Sequence, residues 1–533
     1  MIGRGRSANG AGREARMLAD RPLISVVMPT YETHPGHLRD AIGSVRAQSY
    51  PDWELVIVDD GSTRADTRRV VTRAVSRNPR ITARFLERNA GISAATNAGL
   101  ELCRGELVAF LDHDDALAPD ALLRVAQAFG EGHPDVIYTD QDKLTADGRR
   151  TDPFLKPDWS PVYAFGAMYI GHLLVARREV ISEAGGLDPE FDTIQDFELL
   201  LRLSERTNRI HHIPEVLYHW RAIPGSIALG EQEKEGVTEL QDRAVNAHLE
   251  RCGIAAEAVP HPSIPHRLRL RPKPRRSNPT VNVVIPARRD ADRAFDVVLK
   301  RSSYPALELF VQYPDGSYNP GRQANLAAGY GDGELIVALG EETEVVEPDW
   351  IEQLLLYAEL PGVGAVGPAL IHPDGRVSAA GIAIGLYDPA APVMRGFEAG
   401  GDGYYGALSC AREVSAVGMD CMLVRRSLFE RVGGFEEAYS RQFQVYDLCM
   451  KLREAGASTI YTPTPRTIDH TTEAQRRSDF DVLDRALFVD RWYEQLAAGD
   501  PYYGRGFLRE AADFRPSPFS ADELELAMKE AAR

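Results

Sequence analysis

Short apolar runs that stop on polar clusters recur through the first half of the chain. Leu23-Ile-Ser-Val-Val-Met-Pro29 ends at Pro29-Thr30-Tyr31, and Trp53-Glu-Leu-Val-Ile-Val58 closes on Asp59-Asp60-Gly61-Ser62. Leu107 to Leu111, behind Gly105, stops at Asp112-His113-Asp114-Asp115, and Asp135-Val-Ile-Tyr138 runs into Thr139-Asp140-Gln141-Asp142. Runs of this length, bounded by glycine and charge, predict strands covered on both faces. Leu38, Ile42 and Val45 at helical spacing, and the segment from Ser93 to Leu102, predict intervening helices. The alternation predicts a largely parallel sheet with helices on both faces. Such sheets bind ligands outside the carboxyl ends of their strands, where all four polar clusters are expected to fall.

The chain then repeats itself. Val281-Asn-Val-Val-Ile-Pro286 echoes Ile24-Ser-Val-Val-Met-Pro29, and Ser303-Tyr-Pro-Ala-Leu-Glu-Leu309 echoes Ser49-Tyr-Pro-Asp-Trp-Glu-Leu55. Gly333-Glu-Leu-Ile-Val-Ala-Leu339 repeats Gly105-Glu-Leu-Val-Ala-Phe-Leu111, and Gly433-Gly-Phe435 repeats Gly185-Gly-Leu187. A repeat this long predicts a duplicated domain, not a solenoid. The expected order is a disordered leader (1–20), a first α/β domain (21–260), a basic Pro-rich linker (261–279), a second such domain (280–477) and a helical extension (478–533). The linker alternates Arg and Leu, which also suits a short edge strand; the extension predicts helices around Phe488, Trp492 and Leu496 and a last one from Ala521 to Ala532.

The copy departs at the polar clusters. Asp112-His-Asp-Asp115 becomes Gly340-Glu341-Glu342-Thr343, and the position of Asp196 falls on Val445, or on Gln444 if the gap is moved. This pattern predicts a second domain with lost or altered chemistry; the counter-reading keeps it active through Glu342 and Asp447.

Composition narrows the classes. At 533 residues the chain exceeds one core, and 44% hydrophobic residues suffice for several. A formal net charge of -17 excludes a general nucleic-acid binder. Five cysteines without a C-x-x-C pair suit a reducing compartment. No apolar run reaches the length of a membrane span, so the expected setting is cytoplasmic, with at most peripheral contact at the inner face of the plasma membrane.

Three aspartates on one strand end repel unless a cation lies among them, and Mg²⁺ or Mn²⁺ suits hard oxygen ligands. The alternative is that they cap the following helix. Asp60 is placed either to accept from a nucleotide or to make an Asp-Gly-Ser turn. Arg88-Asn89-Ala90-Gly91 precedes a helix of small residues containing Asn97, suited to close approach of a ligand to a helix start. Asp196 opens an amphipathic helix, either for its dipole or as a base aimed into a cleft. His219, in Val216-Leu-Tyr-His219-Trp220-Arg221, is either structural or a ligand. No Walker lysine or dinucleotide fingerprint is present.

As an ordered set, Pro29-Thr30-Tyr31, Asp59-Asp60-Gly61-Ser62, Arg88-Asn89-x-Gly91 with Asn97, Asp112-His113-Asp114 and Asp196 resemble a family 2 glycosyltransferase of GT-A fold, over residues 22–225. The resemblance implies two tandem GT-A-like domains, a nucleotide-sugar donor (UDP-, dTDP- or GDP-linked), a divalent metal and an inverting single displacement. It implies that Pro29, Tyr31 and Asp60 contact the nucleotide, with Arg88, Asn97 and His113 also on the donor. Asp112 and Asp114 would approach the sugar diphosphate and metal, with His219 a further contact, and Asp196 would be the general base. Asp500-Pro-Tyr-Tyr503 is similar to the tail of bacterial polysaccharide glycosyltransferases. The acceptor implied is a glycan or lipid-linked molecule of a surface polysaccharide such as an O-antigen. Rival readings are a transferase with both domains active, a nucleotidyltransferase, and a non-catalytic glycan-binding scaffold.

Overall fold

The computed structural model describes residues 17–222, 236–289, 291–386, 388–472 and 482–517. The predicted helix from Ala521 to Ala532 and most of the predicted leader lie outside them. The described chain falls into two units, one made of residues up to Trp159 with Met168–His248, the other of Ser160–Ala167 with Leu249–Ser517.

The first unit begins with a regular alternation. Strand β1 (Ile24–Thr30), helix α1 (Pro35–Arg46), β2 (Trp53–Asp59), α2 (Ala65–Arg77), β3 (Ile81–Phe85), α3 (Ile92–Leu100) and β4 (Leu107–Phe110) follow in turn. Then come β5 (Ala116–Leu117), α4 (Ala121–Gly132), β6 (Val136–Leu144) and β7 (Arg150–Phe154). After helix α5 (Pro161–Gly166), which belongs to the second unit, the first resumes with β8 (Leu174–Arg177), α6 (Arg178–Glu183), α7 (Gln195–Ser204) and β9 (Ile210–Arg221). Helix α8 (Val237–Arg251) leads out of it.

The sheet order is β3-β2-β1-β4-β8-β6-β9-β5, with β7 on β6. It is mixed: β3, β2, β1 and β4 run parallel, β8 is antiparallel to both β4 and β6, and β6 and β9 are parallel again. The predicted apolar face of α1 is the buried one: Leu38, Ala41, Ile42 and Val45 are at most 4% exposed and join the core of β1, β2 and α4. Burying a Leu, Ile or Val side chain is worth about 1.5–3 kcal/mol, so Leu38, Ile42 and Val45 anchor α1 firmly.

Two features differ from the sequence expectation. Strand β3 was not anticipated, because Ile81-Thr-Ala-Arg-Phe85 is an edge strand with one fully buried position and no apolar run. The fourth strand does not stop at Tyr138. It continues through Asp140 and Asp142 to Leu144, because β9 pairs with it along its whole length.

The second unit opens with a hairpin, β10 (Ala256–Pro260) and β11 (Leu268–Pro272), so the Arg/Leu alternation of the basic stretch is a strand with Leu268 and Leu270 inward. Then follow β12 (Val281–Pro286), α9 (Asp292–Arg301), β13 (Leu307–Gln312), α10 (Pro320–Ala328), β14 (Leu335–Leu339), β15 (Thr343–Val345), α11 (Trp350–Ala358) and β16 (Val363–Ile371). Short strands β17 (Val377–Ala379), β18 (Ile382–Ile384), β19 (Ala390–Pro392) and β20 (Arg412–Val414) precede β21 (Cys421–Arg425), α12 (Arg426–Arg431), α13 (Phe443–Glu454) and β22 (Ser458–Asp469). Helices α14 (Val482–Arg491) and α15 (Tyr493–Ala498) close it.

Its sheet order, β13-β12-β14-β21-β16-β22-β15, matches β2-β1-β4-β8-β6-β9-β5 strand for strand. The duplication read from sequence is therefore a duplication of topology; among the described residues the copy has no counterpart of α2 and β3, since β13 leads directly to α10. No helix among the described residues is long and apolar enough to cross a membrane.

Candidate active site

The carboxyl ends of β1 and β2 are laced together. The Asp60 carboxylate accepts from the backbone N–H groups of Ala90 (2.8 Å) and Gly91 (3.0 Å), fixing the Arg88–Gly91 loop. Gly61 has φ 70°, and a Cβ there would lie 2.5 Å from the Arg88 carbonyl carbon, so only glycine permits this approach. Pro29 is buried at the end of β1, while Tyr31 is 45% exposed at the rim and Arg88 is exposed. The structure thus gathers Pro29, Tyr31, Asp60 and Arg88 along one edge. Asn97 is used elsewhere: its amide donates to Leu187 O (2.8 Å) and accepts from Leu187 N (2.9 Å), clamping α3 to the Gly185–Leu187 turn.

The aspartate cluster after β4 divides its roles. Asp115 is buried and accepts from Tyr218 Oη (2.6 Å) and Arg221 N (2.7 Å), which ties the end of β9 to that of β4. Burial, then the charges of Asp112 and Asp114, push its carboxyl well above the usual range. Asp112 is half-exposed and faces His172, with 3.7 Å between Oδ2 and Nε2. One ligand atom from each of Asp112, Asp115 and His172 lies within 4.8 Å of the others.

His172 had no motif to announce it. The signal lay in the register: β8 runs antiparallel to β4, Ala109 opposite Val175, which carries His172, two residues before β8, to the side of Asp112. Its ring stacks on Tyr218 at 4.7 Å, and its backbone N–H donates to Gln141 Oε1 (2.8 Å). The ammonium of buried Lys156 donates to the carbonyls of His172 and Thr139 (2.5 Å each) and to Gln141 Oε1 (3.2 Å). Burial pushes that ammonium down to about 7.

Asp114 and His219 stand outside this group. Asp114 presents its carbonyl to Arg221 Nε (2.5 Å), and its carboxylate lies 3.6 Å from His113 Nδ1. The extension of β6 sets Asp142 opposite His219 in register, where Nδ1 and Asp142 Oδ1 meet at 2.6 Å; Arg150 Nε adds a bond to the same carboxylate. Asp196, at the second position of α7, accepts from Phe197 N (2.8 Å). Burial raises its carboxyl, the charge of His172 opposes that rise and the charge of Asp112 adds to it. Asp196, His172 and Asp112 therefore share one electrostatic field, although they come from α7, the loop before β8 and the loop after β4.

Oxygen and imidazole donors, with like charges crowded around them, fit Mg²⁺ or Mn²⁺. A dication would offset the repulsion that Asp115 registers. Asp112 is the residue common to the ligands read from sequence and those the geometry groups.

In the second unit the same positions hold other chemistry. Strand registers set Ile468 where His219 stands and Ile371 where Asp142 stands. The registers of β14 with β21 and of β4 with β8 set Asp420 at the place of His172. The i,i+4 pair Asp447–Lys451 (3.2 Å) on α13 matches Glu198–Arg202 on α7, which aligns Val445, not Gln444, with Asp196. Asp447 is wholly buried and bonded by Trp492 Nε1 (3.0 Å), so it is a packing residue and not an accessible base.

A strand-end carboxylate site on a sheet of this order defines a ligand-binding α/β unit. The model of the family "Glycosyl transferase family 2" matches residues 25–176. A putative teichuronic acid biosynthesis glycosyltransferase TuaG of Bacillus subtilis is 32% identical over 39% of this chain and 82% of its own length. An O-antigen biosynthesis protein RfbC of Myxococcus xanthus is 33% identical over 97% of this chain and 43% of its own length. An uncharacterized protein, y4gI, of Sinorhizobium fredii is 35% identical over 94% of this chain and 59% of its own length. The chain thus spans about half the length of these last two relatives. It belongs to glycosyltransferase family 2.

Proposed function

We propose that the first unit transfers a sugar from a nucleotide-sugar donor to a glycan or lipid-linked acceptor in surface polysaccharide assembly, with inversion and with a divalent metal. The observation that carries this reading is the convergence of Asp112, His172 and Asp196 at the strand ends. Asp112 and His172, backed by Asp115, would hold Mg²⁺ or Mn²⁺, which supplies charge neutralisation on the leaving diphosphate. Asp114 borders the same site and is assigned to the donor side. Pro29, Tyr31, Asp60 and Arg88 form the edge on which the nucleotide would lie, with Asp60 acting through the loop it fixes.

In the displacement, the acceptor hydroxyl oxygen bonds to the anomeric carbon as the bond from that carbon to the diphosphate oxygen breaks. The hydroxyl proton passes to Asp196, and the nucleoside diphosphate leaves. A carboxylate raised by burial is a stronger base than an exposed one, so its environment suits the task. The relatives' names, an O-antigen biosynthesis protein and a teichuronic acid biosynthesis glycosyltransferase, support a surface-polysaccharide acceptor. The test is a donor panel (UDP-, dTDP- and GDP-sugars) with Mn²⁺, Mg²⁺ or chelator, scored for the released product. Release of a nucleoside diphosphate that stops on chelation is expected; pyrophosphate release from a nucleoside triphosphate would make it a nucleotidyltransferase.

A further inference from the structure

Among the described residues, the strand ends of the second unit hold no metal-type group but keep the cleft. A cavity of about 500 Å³ opens at the carboxyl ends of β12 and β14, bounded by Pro286, Glu341, Glu342, Asp420 and the start of α13. These are the counterparts of Pro29, His113, Asp114, His172 and the start of α7, so the cavity occupies the place of the first unit's site. That volume is within the range of small-molecule sites. Residues 372–420, between β16 and β21, are a longer insert than residues 145–173, between β6 and β8. From the insert, Ile382, Pro392 and Arg395 reach the cavity wall. The copy has therefore gained a wall where it lost ligands.

The lining decides what such a cleft can take. Arg288, Arg395 and Arg441 are balanced by four carboxylates, Glu341, Glu342, Asp388 and Asp420. There is no cationic excess, and no metal-type group of three lies here among the described residues. A diphosphate would enter without the charge neutralisation it requires. The side chains are nevertheless planar, polar and set on a fixed frame. The Arg288 guanidinium lies 4.6 Å over the Tyr318 ring, Tyr318 Oη donates to Pro286 O (3.1 Å), and Arg288 N donates to Glu341 (2.7 Å). Donor-only guanidiniums beside acceptor-only carboxylates match vicinal hydroxyls, which both donate and accept. Val445, Leu370 and Ile382 give an apolar patch for the C–H face of a ring.

We infer that this cleft binds an uncharged saccharide unit without metal, so that the duplicated unit is a glycan-holding module. The experiment titrates the full chain, in chelator, with methyl glycosides of glucose, galactose, mannose, rhamnose and N-acetylglucosamine, read by saturation-transfer NMR and calorimetry. At least one probe is expected to bind, and Arg288→Met and Glu342→Gln should each weaken it tenfold or more with an unchanged melting temperature. Asp196→Asn should leave that affinity unaltered. The proposal is overturned if no probe binds, if both second-unit variants bind as well as the parent, if binding vanishes with Asp196→Asn, or if UDP or GDP displaces the sugar. Failure here would leave the donor-release assay of the first unit untouched, so the two readings fall separately.

Discussion

The two units share a frame down to single hydrogen bonds and differ almost entirely at the strand ends. Tyr50 Oη donates to Pro22 O (2.8 Å), as Tyr304 Oη does to Pro279 O (2.7 Å). Gly105 N donates to Ser25 Oγ (2.8 Å), and Gly333 N to Asn282 Oδ1 (2.7 Å). The amide of Asn97 clamps Leu187 in the first unit, and that of Asn325 clamps Phe435 identically in the second, 2.9 Å in both directions. Against this constancy, His219–Asp142 becomes Ile468 beside Ile371, Asp115 becomes Thr343, and Asp196 becomes Val445. The same fold stands without the carboxylates, so stability does not require them. In the first unit burial, and then the charges of Asp112 and Asp114, raise the carboxyl of Asp115. Groups that burden a fold are kept for what they bind or do.

The sharpest break of this comparison is Asp196→Asn. Transfer should fall by about 10²–10⁴-fold, the usual weight of a general base, with no change in melting temperature. Adding Val445→Asp to that variant should restore nothing, because among the described residues no metal-type group lies at the second unit's strand ends either. Steady-state transfer with the best donor of the panel measures both; activity that survives Asp196→Asn would move the working site elsewhere.

Next in size is the metal. Asp112→Asn should lower apparent Mn²⁺ affinity by roughly 10–100-fold in a metal titration of activity, a loss partly recovered at high Mn²⁺. Chelation should silence the parent, and readdition of Mn²⁺ or Mg²⁺ should revive it. If the parent works in chelator, the group around Asp112 does not serve a metal.

How much of this was legible in the chain follows from where the information resides. Apolar runs ending on polar clusters exposed β1, β2 and β4, and internal echoes exposed the duplication, because both are local. His172 was hidden because its role arises from β8 returning antiparallel to β4, a pairing no local pattern records. His219 read as an open ligand because its partner Asp142 was expected beyond a strand end; the continuation of β6 made the two neighbours. Asn97 read as a donor contact because a small-residue helix start suits a ligand. The repeat itself held the answer: Asn325 keeps its place in a copy that has lost the aspartates.

Smaller effects sharpen the site. Burial raises Asp196, so the base should be ionised only at higher pH than an ordinary carboxylate. Activity should climb with pH through that raised value and level off above it, since the deprotonated form is the working one. A pH–rate profile checks this, and the residual activity of Asp196→Asn should lack the limb. Lys156→Met would remove the donor that holds the carbonyl of His172, and should weaken Mn²⁺ binding severalfold while leaving the fold intact.

The smallest expected effect on transfer separates frame from site most cleanly. Asn97→Ala and Asn325→Ala each leave a Leu187 or Phe435 peptide without its two side-chain partners. Each should lower stability by about 1–3 kcal/mol, the cost of leaving such groups unmatched, in thermal or urea unfolding. If Asn97 belongs to the frame, donor KM should change less than twofold in Asn97→Ala, as in Asn325→Ala. A donor KM that rises tenfold in Asn97→Ala alone would return Asn97 to the nucleotide site. It would then show that one residue type, in one geometry, does two jobs in one unit and a single job in its copy.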